Sequence, residues 1–279
     1  MPKWFVLFAS FLLIAAAGQS AEPWNLSADA NLTFTENSYS DNWVGGEAGA
    51  LSWLFSSNSL AEKQLHPKVN TRNTLKLFFG QTHSQEVENN QWRKPVVSND
   101  IIDFETLLRF TLESWVEPFV SGRIETQFLD ARDPRENLYV NPVTFTESAG
   151  VSKVLVKDEK TEWMARVGAG ARQYLDKGNT TEKDGGLTFD SEFKTKIADD
   201  QISVESKLTV FKALVYSNED EAPNDYWKCS DVKWETILTA GITKYLMVNL
   251  YFQLLYDKQI DLGGRFKQSL SLGLTYKLI

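Results

Sequence analysis

The last twelve residues, QSLSLGLTYKLI (268–279), place Leu270, Leu272, Leu274, Tyr276 and Leu278 at every second position. Between them stand Ser269, Ser271, Gly273, Thr275 and Lys277. A period of two is that of an extended strand, whose side chains alternate between faces, so one face here is wholly apolar and the other polar. The run is long and its apolar side carries no charge. Such a face meets either a protein core or hydrocarbon.

The same alternation recurs along the chain. WNLSADANLTFTE sets Trp24, Leu26, Ala28, Ala30, Leu32 and Phe34 against Asn25, Ser27, Asp29, Asn31, Thr33 and Thr35. IIDFETLLRFTL sets Ile102, Phe104, Leu108, Phe110 and Leu112 against Asp103, Glu105 and Arg109. VEPFVSGRIETQFLD sets Val116, Val120, Ile124 and Phe128 against Ser121, Arg123, Glu125 and Gln127. Further on, Leu187, Phe189, Phe193 and Ile197 oppose Asp190, Glu192, Lys194 and Lys196, and Val204, Leu208 and Val210 oppose Glu205, Lys207 and Thr209. Val232, Trp234 and Leu238 oppose Asp231, Lys233 and Glu235, and Leu246, Val248, Leu250, Phe252 and Leu254 oppose Asn249, Tyr251 and Gln253. Weaker strands are readable near 47–57, 71–82, 142–157 and 161–174. In 142–157 the apolar parity switches between Phe145 and Val154, which implies a bulge or a different boundary. Glu147 and Lys153 there fall on the apolar parity.

About twelve strands result, many of ten residues or more, whereas strands of globular proteins cluster near five or six. A membrane-crossing strand takes about 9–11 residues. Short connections near 113–115, 158–160, 198–200 and 243–244 alternate with long polar ones near 37–46, 83–98, 131–141, 175–185, 217–230 and 257–264. Bacterial barrels have brief periplasmic turns and long outer loops. One inner connection, about 58–70 with His66 and Pro67, is expected to be long. Trp24, Trp115 and Trp163 fall near the inner boundary, and Phe34, Phe104, Phe128, Trp234, Tyr256 and Phe266 near the outer one, as interfacial girdles do. The fold expected is all-β: a closed antiparallel transmembrane barrel of a bacterial outer membrane. A soluble β-sandwich would also alternate, but with shorter strands and free edges.

Composition agrees with either. The chain has 279 residues, 42% of them apolar, and a formal net charge of -8. Mean hydropathy is -0.31. An acidic chain lacks the basic footprint of a nucleic-acid binder. Met1-Pro2-Lys3, the apolar run Trp4–Ala17 and small residues to Ala21 have the build of a secretory signal peptide, expected to span 1–21 with the barrel over 22–279. Cys229 is the only cysteine, so no internal disulfide forms.

ENSYSDNWVGGEAGALSWLF (36–55), with Asn42, Trp43, Gly45 and Gly46, resembles a segment of a family of Gram-negative envelope proteins, domain of unknown function 3078. VKWETILTAGITKYLMVNLYFQLLYDKQI (232–260) and FKQSLSLGLTYKL fit as well, so the resemblance covers nearly all of the mature chain. It implies an outer-membrane barrel and supplies no activity. Ser271, Gly273, Tyr276 and Leu278 resemble the C-terminal assembly signal by which such barrels meet the barrel-assembly machinery; Ile279 stands where a terminal aromatic is usual.

The candidate site is the lumen. Arg109, Arg123, Arg166, Arg172, Lys194, Lys207 and Lys233 share the polar parity with Asp103, Glu105, Glu125, Asp190, Glu192 and Glu205. Twelve strands lie between the filled eight-stranded barrel and the open porins, so a narrow pore and a salt-bridged plug are both open. Mixed signs argue against strong ion selectivity. His66 and His83 fall in two connections at opposite barrel ends, which disfavours a histidine metal site and a lipid hydrolase, for which a base must be held against its nucleophile. No cofactor or metal is expected. Expected partners are outer-membrane lipid and lipopolysaccharide, the barrel-assembly machinery and a possible small solute. A pore or small-solute transporter leads, ahead of a non-conducting structural or surface-binding barrel.

Overall fold

A computed structural model describes residues 23–38, 48–86, 91–132, 136–179 and 181–277. The proposed signal peptide, the Asn42-Trp43-Val44-Gly45-Gly46 segment and Leu278 lie outside these. Twelve strands form one closed antiparallel barrel: β1 (Asn25–Asn37), β2 (Ala50–His66), β3 (Val69–Ser84), β4 (Val96–Arg109), β5 (Glu117–Thr126), β8 (Val143–Lys157), β9 (Thr161–Leu175), β10 (Glu182–Ile197), β11 (Ile202–Tyr216), β12 (Ser230–Gly241), β13 (Leu246–Tyr256) and β14 (Arg265–Lys277). Each pairs with its sequence neighbour, and β1 closes on β14. Two short strands, β6 (Leu129–Asp130) and β7 (Leu138–Tyr139), form a separate ribbon in the connection between β5 and β8.

The barrel is a protein turned inside out. Arg72, Asp103, Glu105, Arg109, Arg123, Arg166, Asp190 and Glu235 are buried, while Leu32, Phe34, Val167, Leu187, Leu214, Trp234, Leu270, Leu272 and Leu274 are exposed. Soluble chains almost never bury so many charges while leaving a continuous apolar belt in contact with solvent. Only hydrocarbon outside and a polar lumen inside reconcile the two, and ring closure pairs nearly all of the strand backbone within the protein, as lipid demands. The chain is therefore a transmembrane β-barrel of the outer membrane. Among the described residues no helix is long and apolar enough to cross a membrane.

Indole groups facing the hydrocarbon keep their N–H bonded. Trp163 Nε1 donates to Ser191 Oγ at 3.0 Å and Trp234 Nε1 to Ser206 Oγ at 2.9 Å. Trp115 (80% exposed), Trp24 and Trp163 lie at the short-turn end. Trp53, Phe79 and Phe128 stack edge to face near the long-loop end. Phe104, expected at the outer boundary, sits in the body of β4 opposite Leu75 and Ile124, because β4 begins five residues earlier than its apolar pattern, at Val96.

Three further boundaries differ from expectation. The inner connection near 58–70 is not long: β2 runs on to His66 and turns through Pro67 and Lys68 alone, since the polar run Ser56–Lys63 faces lumen on one parity and pairs fully with β3. The expected short turn at 113–115 is a connection over 110–116. The strand expected through residue 130 stops at Thr126, where the Asp100 carboxylate accepts from the backbone N–H groups of Phe128 (2.5 Å) and Leu129 (2.8 Å) and draws the chain into the β6–β7 ribbon. The parity switch in β8 is a bulge between Val154 and Val156. Glu147 lies opposite Gly122 and Ala171 on the outward face, close to the outer end of β8, and Lys153 bends to the Trp115 ring at 4.2 Å, so both charges sit within reach of an interface.

Candidate functional site

Long side chains from facing strands meet across the lumen. On one side Arg123 of β5 grips Asp103 of β4 through two bonds of 2.8 and 2.7 Å and also touches Glu125 at 3.0 Å. Lys233 of β12 reaches Glu125 at 2.9 Å, and Lys76 of β3 reaches Glu235 of β12 at 3.1 Å. Tyr251 and Gln253 on β13 donate to the free oxygen of Glu235 at 2.8 and 3.1 Å. A second cluster centres on Arg166 of β9, which donates to Glu105 at 2.6 Å and Glu192 at 3.0 Å and lies 3.9 Å from Asp190. Lys207 of β11 meets Glu105 at 2.6 Å and Glu192 at 3.3 Å, and Arg72 of β3 meets Glu162 of β9 at 2.8 Å.

The pairs β3–β12, β4–β11 and β5–β12 stand five strands apart in a ring of twelve, so these bridges cross almost the full width. Each carboxylate loses water on entering this interior, and the loss is offset only where opposite charges and hydrogen bonds occupy its lone pairs. The carboxylates of both clusters meet opposite charges in this way, while the Nε of Arg72 and of Arg166 is buried without a hydrogen-bond partner. The remaining expected residues lie at the ends or edges: Arg109 pairs with Glu117 at 3.1 Å, Arg172 with Asp184 and Asp231 at 2.5 and 2.7 Å, and Lys194 with Glu205 at 3.0 Å. Beside the second cluster Leu107, Phe119, Met164 and Val154 form an apolar nub inside the lumen, with the Arg166 guanidinium 5.6 Å from the Phe119 ring centre.

The opposite side of the lumen carries no such lattice. Asn31, Thr33, Ser56, Asn58, Ser269, Ser271 and Thr275 are short, and they border a cavity of about 190 Å³ together with Leu54, Phe78, Met247 and Tyr251. A second cavity of about 150 Å³ shares Asp29, Asn58, Glu205 and Ile237 with the first and touches the ion-pair lattice at Arg72, Lys76, Asp103, Glu192, Lys207 and Glu235. Asn31 Nδ2 donates to Asp29 Oδ2 at 2.6 Å.

Outer loops cover part of the mouth. The segment between β11 and β12 makes two 3-10 turns, Glu219–Glu221 and Asp225–Lys228. It buries Trp227 (5% exposed) against Phe211, Ala213, Tyr216 and Ala222. Arg172 lies over the Phe211 ring at 3.8 Å. In the β5–β8 connection Arg132 bridges Asp130 and Asp176, both at 2.8 Å, and Asn141 donates to the same two carboxylates at 2.8 Å. The Arg132 hydrogen bonds hold the Asp130 carboxyl well below the ordinary range. No group of three or more metal-ligating side chains occurs among the described residues. His66 and His83 stand at opposite ends, at the foot of β2 and the top of β3.

Sequence reasoning missed Arg72, Lys76, Glu162 and Asp184, which lie in stretches read as weak strands or loops, and the inward Leu107, Phe119 and Met164, which sit on the polar parity. Ser271 and Gly273 of the assembly segment face the lumen side of β14.

A family model described as protein of unknown function (DUF3078) matches residues 34–131, and one described as protein of unknown function, DUF481, matches 142–278. The first resemblance therefore runs from the end of β1 through β6 and not over nearly all of the mature chain; the two matches divide at the β6–β7 ribbon. No curated protein matches the chain. Among solved structures, an outer membrane channel from Pseudomonas putida F1 is 13% identical, with TM-score 0.41, over 93% of this chain and 96% of its own. The translocator domain of the autotransporter NalP from Neisseria meningitidis is 10% identical, with TM-score 0.35, over 97% and 94%. The beta domain of the Bordetella autotransporter BrkA is 8% identical, with TM-score 0.34, over 91% and 99%.

Proposed function

We propose that the protein is a narrow outer-membrane channel for small polar solutes. One observation carries the reading: two lumen cavities have Asp29, Asn58, Glu205 and Ile237 in common in their walls, which sets them side by side along the lattice. The lattice confines passage to the side lined by Ser, Thr and Asn, and its own charges are largely paired, so selectivity between ions is weak. The same reading has the apolar belt in contact with outer-membrane lipid and lipopolysaccharide, and β14 engaging the assembly machinery through Ser271, Gly273 and Tyr276.

The test is conductance of the purified chain in a planar bilayer. Small, weakly selective current steps are expected, and Asn58→Trp should abolish them by filling the shared stretch. A folded barrel that passes no current overturns the channel. That result supports the second reading, a structural envelope barrel with a plugged lumen, which the nearly diametric bridges Lys207–Glu105 and Lys233–Glu125 favour.

A further inference from the structure

The barrel closes weakly at one place. Among the described residues β1 pairs with β14 only from Asp29↔Lys277 to Thr33↔Gly273, whereas β1 pairs with β2 through Asn37 and β14 with β13 through Arg265. Gly273 marks the closest approach: a Cβ there would collide with Thr33 Cγ2 and lie 2.7 Å from the Leu32 carbonyl oxygen. Beyond that pinch, toward the outer leaflet, Phe34–Asn37 and Ser269–Leu272 have no ladder between them among the described residues. Unpaired backbone facing hydrocarbon is costly, so an open seam at membrane depth needs a reason.

The reason lies directly behind it. Thr33, Ser269 and Ser271 line both the seam and the 190 Å³ cavity. Asn31, 7% exposed, lines the same cavity, and its Oδ1 has no hydrogen-bond partner while its Nδ2 is committed to Asp29. A buried acceptor left without a donor is open to one that enters the cavity. Two acceptors, Asn31 Oδ1 and the Asp29 carboxylate, stand beside neutral hydroxyls and amides. That set recognises hydroxyl groups rather than an anion.

We infer that the cavity takes the polar end of an uncharged, hydroxylated amphiphile that enters sideways from the outer leaflet through the β1–β14 seam, its hydrocarbon tail remaining between Phe34 and Leu272. A head of hexose size matches the volume. This rests on the reading of the cavity as a solute site and names the class of solute.

The probe is an octyl glucoside with a photoreactive tail, offered to the full chain in phosphatidylcholine nanodiscs. Label is expected on Phe34 and on Leu270 or Leu272, competed by plain octyl glucoside and not by glucose. Asn31→Leu should lower labelling about fivefold through loss of one hydrogen bond. In a Cys229→Ser background, Thr35→Cys with Ser271→Cys joined by a short bis-thiol reagent should abolish it. Label confined to the loop mouths, labelling unchanged by both alterations, or a β1–β14 edge that instead pairs with a second copy of the chain would each overturn the inference. Loss of labelling with intact conductance removes the amphiphile and spares the channel; labelling without conductance does the reverse.

Discussion

Replacing Arg166 by Met tests whether the lumen is a packed lattice or a wet pore wall. Arg166 is 2% exposed and serves Glu105 at 2.6 Å and Glu192 at 3.0 Å. With it gone, Lys207 alone faces two carboxylates, at 2.6 and 3.3 Å. Removing one partner of a buried pair costs about 3–5 kcal/mol, because the other charge stays behind uncompensated. Met fills most of the vacated space and water reaches an emptied lumen more readily than a closed core, so about 3 kcal/mol is expected. The assay is reversible urea unfolding of the barrel in detergent micelles, read by tryptophan fluorescence and by the mobility shift of unheated barrel on gels. Glu105→Gln in the same background should return about 0.5–3 kcal/mol, since the coupling of contacting residues falls in that range. A loss below about 1 kcal/mol for Arg166→Met, the figure of an exposed pair, together with no coupling to Glu105, would show that these charges are solvated and that the lattice does not close the lumen.

Outside the membrane, Asp130 is held below the ordinary carboxylate range by Arg132, so its contribution to the β6–β7 ribbon is complete above about pH 4 and is lost as pH falls through its folded value. Hydrogen exchange of residues 127–132 and 136–142 should therefore accelerate only in strong acid, and Asp130→Asn should make it fast already at pH 7. Trp227→Ala removes the side chain that fills the outer mouth against Phe211 and Tyr216, at a local cost of about 3–5 kcal/mol; proteolysis between β11 and β12 should rise, and so should conductance, and unchanged values for both would contradict the mouth described. Gly273→Val should prevent β1 from closing on β14, seen as a large fall in the folded fraction on unheated gels, whereas Gly263→Val in an open outer loop should be neutral.

Parity alone made most of the fold readable. Charges of both signs on one alternation and Leu, Val and Phe on the other state which side meets lipid, whatever the partner strands are. Every lumen residue read this way from β4, β5, β9, β10, β11 and β12 carries an ion pair. Which residues pair was not readable, because Lys233 finds Glu125 only after the ring closes with its particular stagger, and sequence spacing holds no record of that. Arg72 and Lys76 were hidden for a different reason: the polar run on β2, and on β3 the polar Thr71 and Asn73 facing outward with Phe78 facing the lumen, blur the alternation there. Leu107, Phe119 and Met164 break the parity rule, since an apolar group facing the lumen is tolerable only beside others of its kind, a condition met in space and not in the chain. The seam was equally invisible, since β1 and β14 both alternate cleanly and nothing in either strand says where their ladder stops.

Side-chain length, more than polarity, decides where this lumen is full. Ring closure through twelve strands leaves a bore too wide for the filling that suffices in an eight-stranded barrel. Arg, Lys and Glu have the reach to meet partners five strands away, and once there they must be paired, so the side of β4, β5, β9 and β11 closes as a lattice of opposite charges. Ser, Thr and Asn on β1, β2 and β14 are as polar but end well short of the axis, and the two cavities lie in front of them. The ladder also ends on this side, at Thr33 and Gly273. A lumen built to be a plug would place long side chains directly behind its weakest seam; here the short ones stand there, and the cavities and the end of the ladder fall on the same side.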